Sequence, residues 1–307
     1  MTKQPTNLAA SVHRRLLDGA RTRAEDFQLT LLRYGCERLL YRLGSSPHAR
    51  GFVLKGAMLF LLWQDQLYRP TRDIDLEGFG DVDADRVHQV FVEVCGIDCP
   101  EDALRFAPET VAATPIRTSQ DYGGIRVTLL AWLGKARIPL QIDIGFGDTI
   151  TPPPKLATLP TLLPMPAPRL RTYPLETVVA EKFEAMARLG RANSRMKDFR
   201  DLAVLAARCR FDGALLTRAV RSTFAQRRTD VALAAEALTE DFYEDAALVQ
   251  RWRAFFRQQP TVDEALAEFA AVGEQLRRFL HPLAEAVADT RRLGPWVHAN
   301  GWNDAPS

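Results

Sequence analysis

Two carboxylates one residue apart, Asp73 and Asp75, close the stretch VLKGAMLFLLWQDQLYRPTRDIDLE that begins at Val53. In a strand, side chains at i and i+2 share a face. That spacing predicts Asp73 and Asp75 side by side, with Ile74 and Leu76 anchoring the opposite face in a core. Like charges held so close repel unless a cation lies between them. Oxygen-only ligands favour Mg²⁺, which takes one or two carboxylates and completes its octahedron with water and phosphate oxygens. Upstream, Lys55-Gly56-Ala57 turns the chain into an apolar run. Gly56 lets the backbone approach a ligand, and the helix behind it offers N–H groups to an anion. Asp-x-Asp also arises by chance in turns and on solvated strand faces. A third carboxylate, Asp143 in Pro139-Leu140-Gln141-Ile142-Asp143-Ile144-Gly145, interrupts a strand-like run between isoleucines. Three converging carboxylates suit a two-metal centre that holds attacking and leaving oxygens in line.

The order of these parts (glycine turn, helix, Asp-x-Asp strand, later strand Asp) resembles the polymerase-β-type nucleotidyltransferase superfamily. More narrowly, LKGAMLFLLW, RPTRDIDLEGFGD, YGGIRV, LQIDIGFGD and YPLETVVAEKFEAM with NSRMKDFRDL resemble the AbiEii/AbiGii toxin family, which includes the MenT toxins. These blocks run from Leu54 to Leu202, about half the chain. One departure is Ala57, where the superfamily usually has Gly or Ser; the hydroxyl contact is lost while the backbone N–H stays. The resemblance implies Asp73, Asp75 and Asp143 as catalytic metal ligands for Mg²⁺, or Mn²⁺ in its place. It implies an NTP substrate, with Lys55, Gly56, Ala57, Arg72 and Lys182 binding the nucleotide. It further implies the tRNA acceptor end as target, blocked against aminoacylation, and a cognate antitoxin encoded next to the toxin. A small-molecule or protein hydroxyl as acceptor, or a catalytically weak binding module, are the rival readings.

The rest of the chain must position these groups. Residues Leu8 to Leu43 read as helical, with Phe27, Leu31, Tyr34 and Tyr41 on one stripe and Arg33, Arg38 and Arg42 snorkelling at its edge. After the Asp-x-Asp strand, Asp81 or Asp83 can cap a helix running to about Cys95. Thr110–Thr118 reads as strand, and Ile125–Leu133 pairs with Ala136–Phe146 across Gly134-Lys135 as a hairpin. Asp148 reads as a turn or cap residue. From Thr151 to Pro174 the chain is proline-rich, a semi-rigid connector, and nearly everything beyond reads as helix.

In the helix Leu175–Leu189, Lys182 lies within the stripe Leu175, Val178, Val179, Met186, Leu189. A lysine there can snorkel; an inward one needs a partner for its charge, and the resemblance makes it a catalytic contact to phosphates. Glu184 and Arg188 read as a surface i,i+4 pair. Asp198 and Asp201 follow on the apolar side of the next helix. Either can orient Lys182 or accept the proton of an attacking hydroxyl, and the resemblance points to Asp198 as the catalytic one. Arg191, Arg195 and Lys197 form a basic run beside it, either solvated or contacting RNA phosphate. Thr261-x-x-Glu264 reads as a capping box opening the last long helix. Thr71, two residues before Asp73, shares its face on an extended strand; it reads as an ordinary β-branched strand residue bonding the backbone, or as a switch in which a phosphate on its hydroxyl sets negative charge beside the carboxylates.

The resulting architecture is α/β (α+β): a small mixed-sheet nucleotidyltransferase core with flanking helices, followed by a helical C-terminal domain. The divisions are 1–150 for N-terminal helices and core, 151–174 for the connector, 175–290 for a helical domain completing the site, and 291–307 for a tail. The net charge of +2 over 307 residues is too small to mark a nucleic-acid binder by itself. The start lacks a signal-peptide pattern, no apolar run is long enough to span a membrane, and four scattered cysteines fit buried thiols in a reducing cytoplasm.

Overall fold

The computed structural model describes residues 7–64, 71–117, 123–258, 264–289, 292–298 and 300–303. Contacts divide the chain into two units, Met1–Gly147 with Lys155–Thr172, and Asp148–Pro154 with Tyr173–Ser307. Among the described residues no helix is long and apolar enough to cross a membrane.

The first unit holds α1 (Leu8–Thr22), α2 (Phe27–Ser45), β1 (Phe52–Lys55), α3 (Phe60–Gln64), β2 (Ile74–Gly78), α4 (Ala84–Cys95), β3 (Leu104–Arg117), β4 (Gly123–Leu133), β5 (Ala136–Phe146), β6 (Lys155–Thr158) and β7 (Arg169–Thr172). Its seven strands form one mixed sheet in the order β3-β4-β5-β2-β1-β7-β6. β2 runs parallel to β5 and antiparallel to β1. Period-two burial along β5 turns Ile138, Leu140, Ile142, Ile144 and Phe146 into the core, so Asp143 stands on the other face. Helix α2 lies close against that core: a methyl group at Gly35 would meet Ile138 Cγ2 at 3.0 Å and Leu140 Cδ2 at 3.1 Å.

The single N-terminal helix read from sequence is two helices, because Ala24 takes a left-handed φ of 52° and Asp26 then caps α2. Arg38 and Arg42 do not snorkel; both are buried. Arg42 donates from Nη1 at 2.6 Å and from Nη2 at 3.3 Å to the fully buried Asp102, and Arg38 donates to the Pro166 carbonyl at 2.6 Å. Asp83 caps α4 as expected, accepting from Asp85 and Arg86 N–H. The hairpin of β4 and β5 turns at Gly134, φ 59°, with Leu133 opposite Ala136. The proline-rich stretch is more than a connector. Its proline-poor segments form β6 and β7, an antiparallel pair that joins the sheet beside β1.

The second unit holds α5 (Leu175–Leu189), α6 (Met196–Arg208), α7 (Gly213–Gln226), α8 (Ala234–Ala237), α9 (Glu240–Glu244), α10 (Ala246–Phe256), α11 (Phe269–Asp289), and a short hairpin of β8 (Trp296–Val297) and β9 (Gly301–Trp302). Phe199, Phe242, Tyr243, Trp252 and Phe269 form its aromatic centre. Thr261 of the expected capping box lies outside the described residues. Glu264–Leu266 is a 3₁₀ turn, and the long helix opens only at Phe269. The segment read as a tail is anchored by its tryptophans. Trp302 stacks on Phe279 at 5.7 Å, and the two indoles donate to the carbonyls of Ala206 and Phe279. Glu184 is no surface residue: fully buried, it accepts from Arg188 and Arg227 at 2.9 Å each and from Thr229 at 2.7 Å. Asp148 completes this knot by accepting from Arg227 at 2.9 Å.

Candidate active site

Four strands of the first unit set one row of charged side chains. Across β1, β2, β5 and β4 the register places Lys55 opposite Asp75, Asp75 opposite Asp143, and Asp143 opposite Arg126. Neighbouring strands lie about 4.8 Å apart and partnered residues share a face, so the two acids are adjacent and each has a cation on its outer side. Asp73 falls just before β2, which starts at Ile74. It stands one residue outside the strand, and its charge acts on Arg126, the partner of Asp143. Its carboxylate accepts from the Thr71 hydroxyl at 3.0 Å, and the same hydroxyl reaches the Asp73 carbonyl at 3.3 Å. Thr71 thus shapes the turn into the strand rather than extending it.

Gly56 explains how the row is shaped. Its backbone, at φ 76° and ψ −158°, lies in a region that L side chains avoid. A methyl group there would come within 2.6 Å of Asp75 Cγ. The peptide behind Gly56 thus passes directly over the Asp75 carboxylate. Ala57, the next residue, is buried and begins a 3₁₀ turn that leads into α3. Lys55 directs its ammonium to the buried Glu77 at 2.7 Å, and Gly145 leaves the room for it, since a methyl group there would meet Lys55 Nζ at 2.7 Å. Arg72 is exposed.

Asp143 is gripped from two sides. Arg126 donates Nε to Oδ1 at 2.7 Å and Nη2 to Oδ2 at 2.8 Å, a planar fork. Gln141 approaches the same oxygens at 3.4 and 3.3 Å. The bond to Asp143 holds the Arg126 guanidinium above its usual range. Arg126 lies in the YGGIRV block but its role is not read from it. Counting from the two-residue turn finds it: Arg126 is seven positions before Leu133, and Asp143 seven after Ala136.

Among the described residues no three His, Cys, Asp or Glu are arranged to hold a metal ion by themselves. The donor chemistry nevertheless fits Mg²⁺: Asp75 and Asp143 offer adjacent hard oxygen donors, with the Gly56 backbone close against Asp75. Mg²⁺ bound to one or two carboxylates draws its remaining ligands from water and nucleotide phosphate.

The second unit holds a charged cluster of its own residues. Lys182 on α5 points its ammonium between Asp198 and Asp201 on α6, at 2.7 Å from each. Both acids are buried, so Asp201 is as close a partner as Asp198. Arg195 adds an ion pair to Asp198 at 2.6 Å. Burial would raise the Asp198 carboxyl, but Lys182 and Arg195 together outweigh it and hold it below the usual carboxylate range. The sequence signal for Asp201 was present, one turn beyond Asp198 on the same helix face. Of the basic run, Arg191 pairs with Glu236 and Asp245 at 2.9 and 3.1 Å, while Lys197 is exposed.

The family model described as "Nucleotidyl transferase AbiEii toxin, Type IV TA system" matches residues 38–278. Two solved structures resemble the chain at low identity. One, a Helicobacter pylori protein described as a candidate nucleotidyltransferase, shares 14% identity at TM-score 0.49, covering 83% of this chain and 94% of its own. The other, JHP933 from Helicobacter pylori, shares 15% identity at TM-score 0.45, covering 82% and 90%. No curated protein matches the sequence.

Proposed function

The chain belongs to the AbiEii nucleotidyltransferase toxin family, and on that premise we propose that it transfers a nucleoside monophosphate from an NTP to the 3′ end of tRNA, blocking aminoacylation. An acceptor hydroxyl oxygen bonds to the α-phosphorus, the bond from that phosphorus to the bridging oxygen breaks, and pyrophosphate leaves. The hydroxyl proton passes to a carboxylate or to water. The observation that carries this reading is the in-register pair Asp75 and Asp143, with the Gly56 backbone close against Asp75. Asp75 and Asp143, together with Asp73 at the strand entry, would hold Mg²⁺ there, and the ion would neutralise charge on the triphosphate.

The chain's own groups do the positioning, which dominates phosphoryl-type transfer. Gly56 and Ala57 present backbone to phosphate, with Arg72 exposed nearby in sequence and Lys55 held by Glu77. Lys182, preorganised by two buried carboxylates, is assigned to the phosphates on the family resemblance, and Asp198 supports it. The stretch from Arg191 to Lys197 is the proposed RNA surface; RNA there must share Arg191 and Arg195 with their carboxylate partners. Restraint falls to a separately encoded antitoxin, as the family's toxin-antitoxin description implies.

Each α-labelled NTP, incubated with Mg²⁺ and with tRNA, total RNA, protein or metabolites in turn, tests the reading, with Asp75→Asn as the blank. Label on the tRNA 3′ end supports it. Label on protein or metabolites, and none on RNA, replaces the acceptor. Labelling that persists in Asp75→Asn removes the proposed site.

A further inference from the structure

The Arg126 fork takes both oxygens of Asp143, the same oxygens through which Asp143 would ligate a divalent cation. The pair is also accessible, with 40% of the Arg126 side chain and 22% of the Asp143 side chain exposed. Its geometry contrasts with the other end of the row. There Lys55 pairs with the buried Glu77, an ion pair sunk in the sheet that cannot be exchanged cheaply. The half-exposed guanidinium of Arg126 can leave its partner without uncovering a buried charge, and a planar guanidinium bonds phosphate oxygens by the same fork as it bonds a carboxylate.

We propose that Arg126 competes intramolecularly with the divalent cation for Asp143, and that the displaced guanidinium takes phosphate oxygens of the nucleotide arriving with the metal. Arg126 is then an exchangeable partner: it neutralises one acid of an adjacent pair, yields it to the metal, and binds the substrate the metal carries. The inference rests on Asp75 and Asp143 being metal ligands, as in the proposed function. The two ideas separate because a structural arginine and a competing one move metal affinity in opposite directions. An arginine that merely orients Asp143 for the metal would, when removed, weaken metal binding. A competitor, when removed, strengthens it while nucleotide binding suffers.

The experiment is titration of the full chain with Mn²⁺ alone, by calorimetry and by paramagnetic resonance, for the native chain, Arg126→Gln, Arg126→Lys and Asp143→Asn. Arg126→Gln is expected to bind Mn²⁺ about threefold or more tightly than the native chain, the scale of a solvent-accessible ion pair, and to show a raised KM for NTP. Arg126→Lys keeps the charge without the fork and is expected between the two; it also decides the matter if the glutamine variant does not fold. Mn²⁺ affinity unchanged or weakened in both arginine variants overturns the proposal while leaving the metal site standing. No Mn²⁺ binding by the native chain, or equal binding by Asp143→Asn, overturns the metal reading and the proposal together.

Discussion

Replacing Gly56 by alanine adds one methyl group at the point where the backbone crosses the Asp75 carboxylate. Two costs can be worked from the structure. The first is conformational: at φ 76° and ψ −158° an L residue is strained, by about 1–3 kcal/mol. The second is steric: the new Cβ would lie 2.6 Å from Asp75 Cγ and 2.7 Å from its Cβ, and nearer still to Oδ2. Carbon atoms pack at about 3.5–4.0 Å, so something must shift by about 1 Å. Strand β2 is held by β1 on one edge and β5 on the other, so the side chain of Asp75 yields before the strand does. Displacement on this scale lowers turnover about a hundredfold.

Gly56→Ala is therefore expected to lose about 2–4 kcal/mol in urea unfolding and at least about a hundredfold in transfer of label from NTP. Gly51→Ala is the control, since a methyl group there meets nothing within 4 Å; both readouts should stay near native. Near-native transfer by Gly56→Ala would refute the idea that this close approach shapes the site. Equal losses in both variants would show that loop disturbance in general, not Asp75, is responsible.

In the second unit, Lys182→Ala leaves Asp198 and Asp201 buried without their shared ammonium. Thermal unfolding should reveal a loss of about 3–5 kcal/mol, and an unchanged midpoint would contradict the burial of that charge cluster. Because Asp198 is held below its ordinary value, its contribution is complete above about pH 4 and is lost as pH falls from there through the folded value. Asp198→Asn should accordingly flatten acid unfolding in that range. Glu37 works in the opposite sense: burial pushes its carboxyl up to about 7, partly offset by the Leu162 N–H. Its ionisation then opposes folding increasingly between about pH 4.5 and 7 and fully above. Glu37→Gln should stabilise the protein at pH 8, by at most about 3 kcal/mol, with little effect at pH 4; equal effects at both values would reject the assignment.

Local patterns gave up most of the elements. The stripe through Leu175 and Leu189 bounds α5, Asp83 caps α4, and Gly134-Lys135 sets the β4–β5 hairpin in register. Charged residues on apolar faces were misread because periodicity fixes which way a side chain points and not what it meets. Arg42 and Glu184 follow the spacing of edge residues, yet their partners lie 60 positions away at Asp102 and 43 away at Arg227. Trp296 and Trp302 have no periodic neighbours, so only the packed structure reveals their hold on Phe279.

The candidate site divides along the same line. The pairing of Arg126 with Asp143 is encoded locally, by one turn and equal counts on its two sides. The pairing of Asp75 with Asp143 is not, because parallel strands need a crossover and no short signal states their register. Here the crossover takes in α4, β3 and β4 before β5 returns beside β2. A one-residue slip of β5 would turn Asp143 into the core and Ile142 outward. The alternating isoleucines and leucine of β5 therefore do as much to place the carboxylate as its own strand partner does. Long-range register supplies the rest, and the adjacency of the two acids is a property of the folded sheet alone.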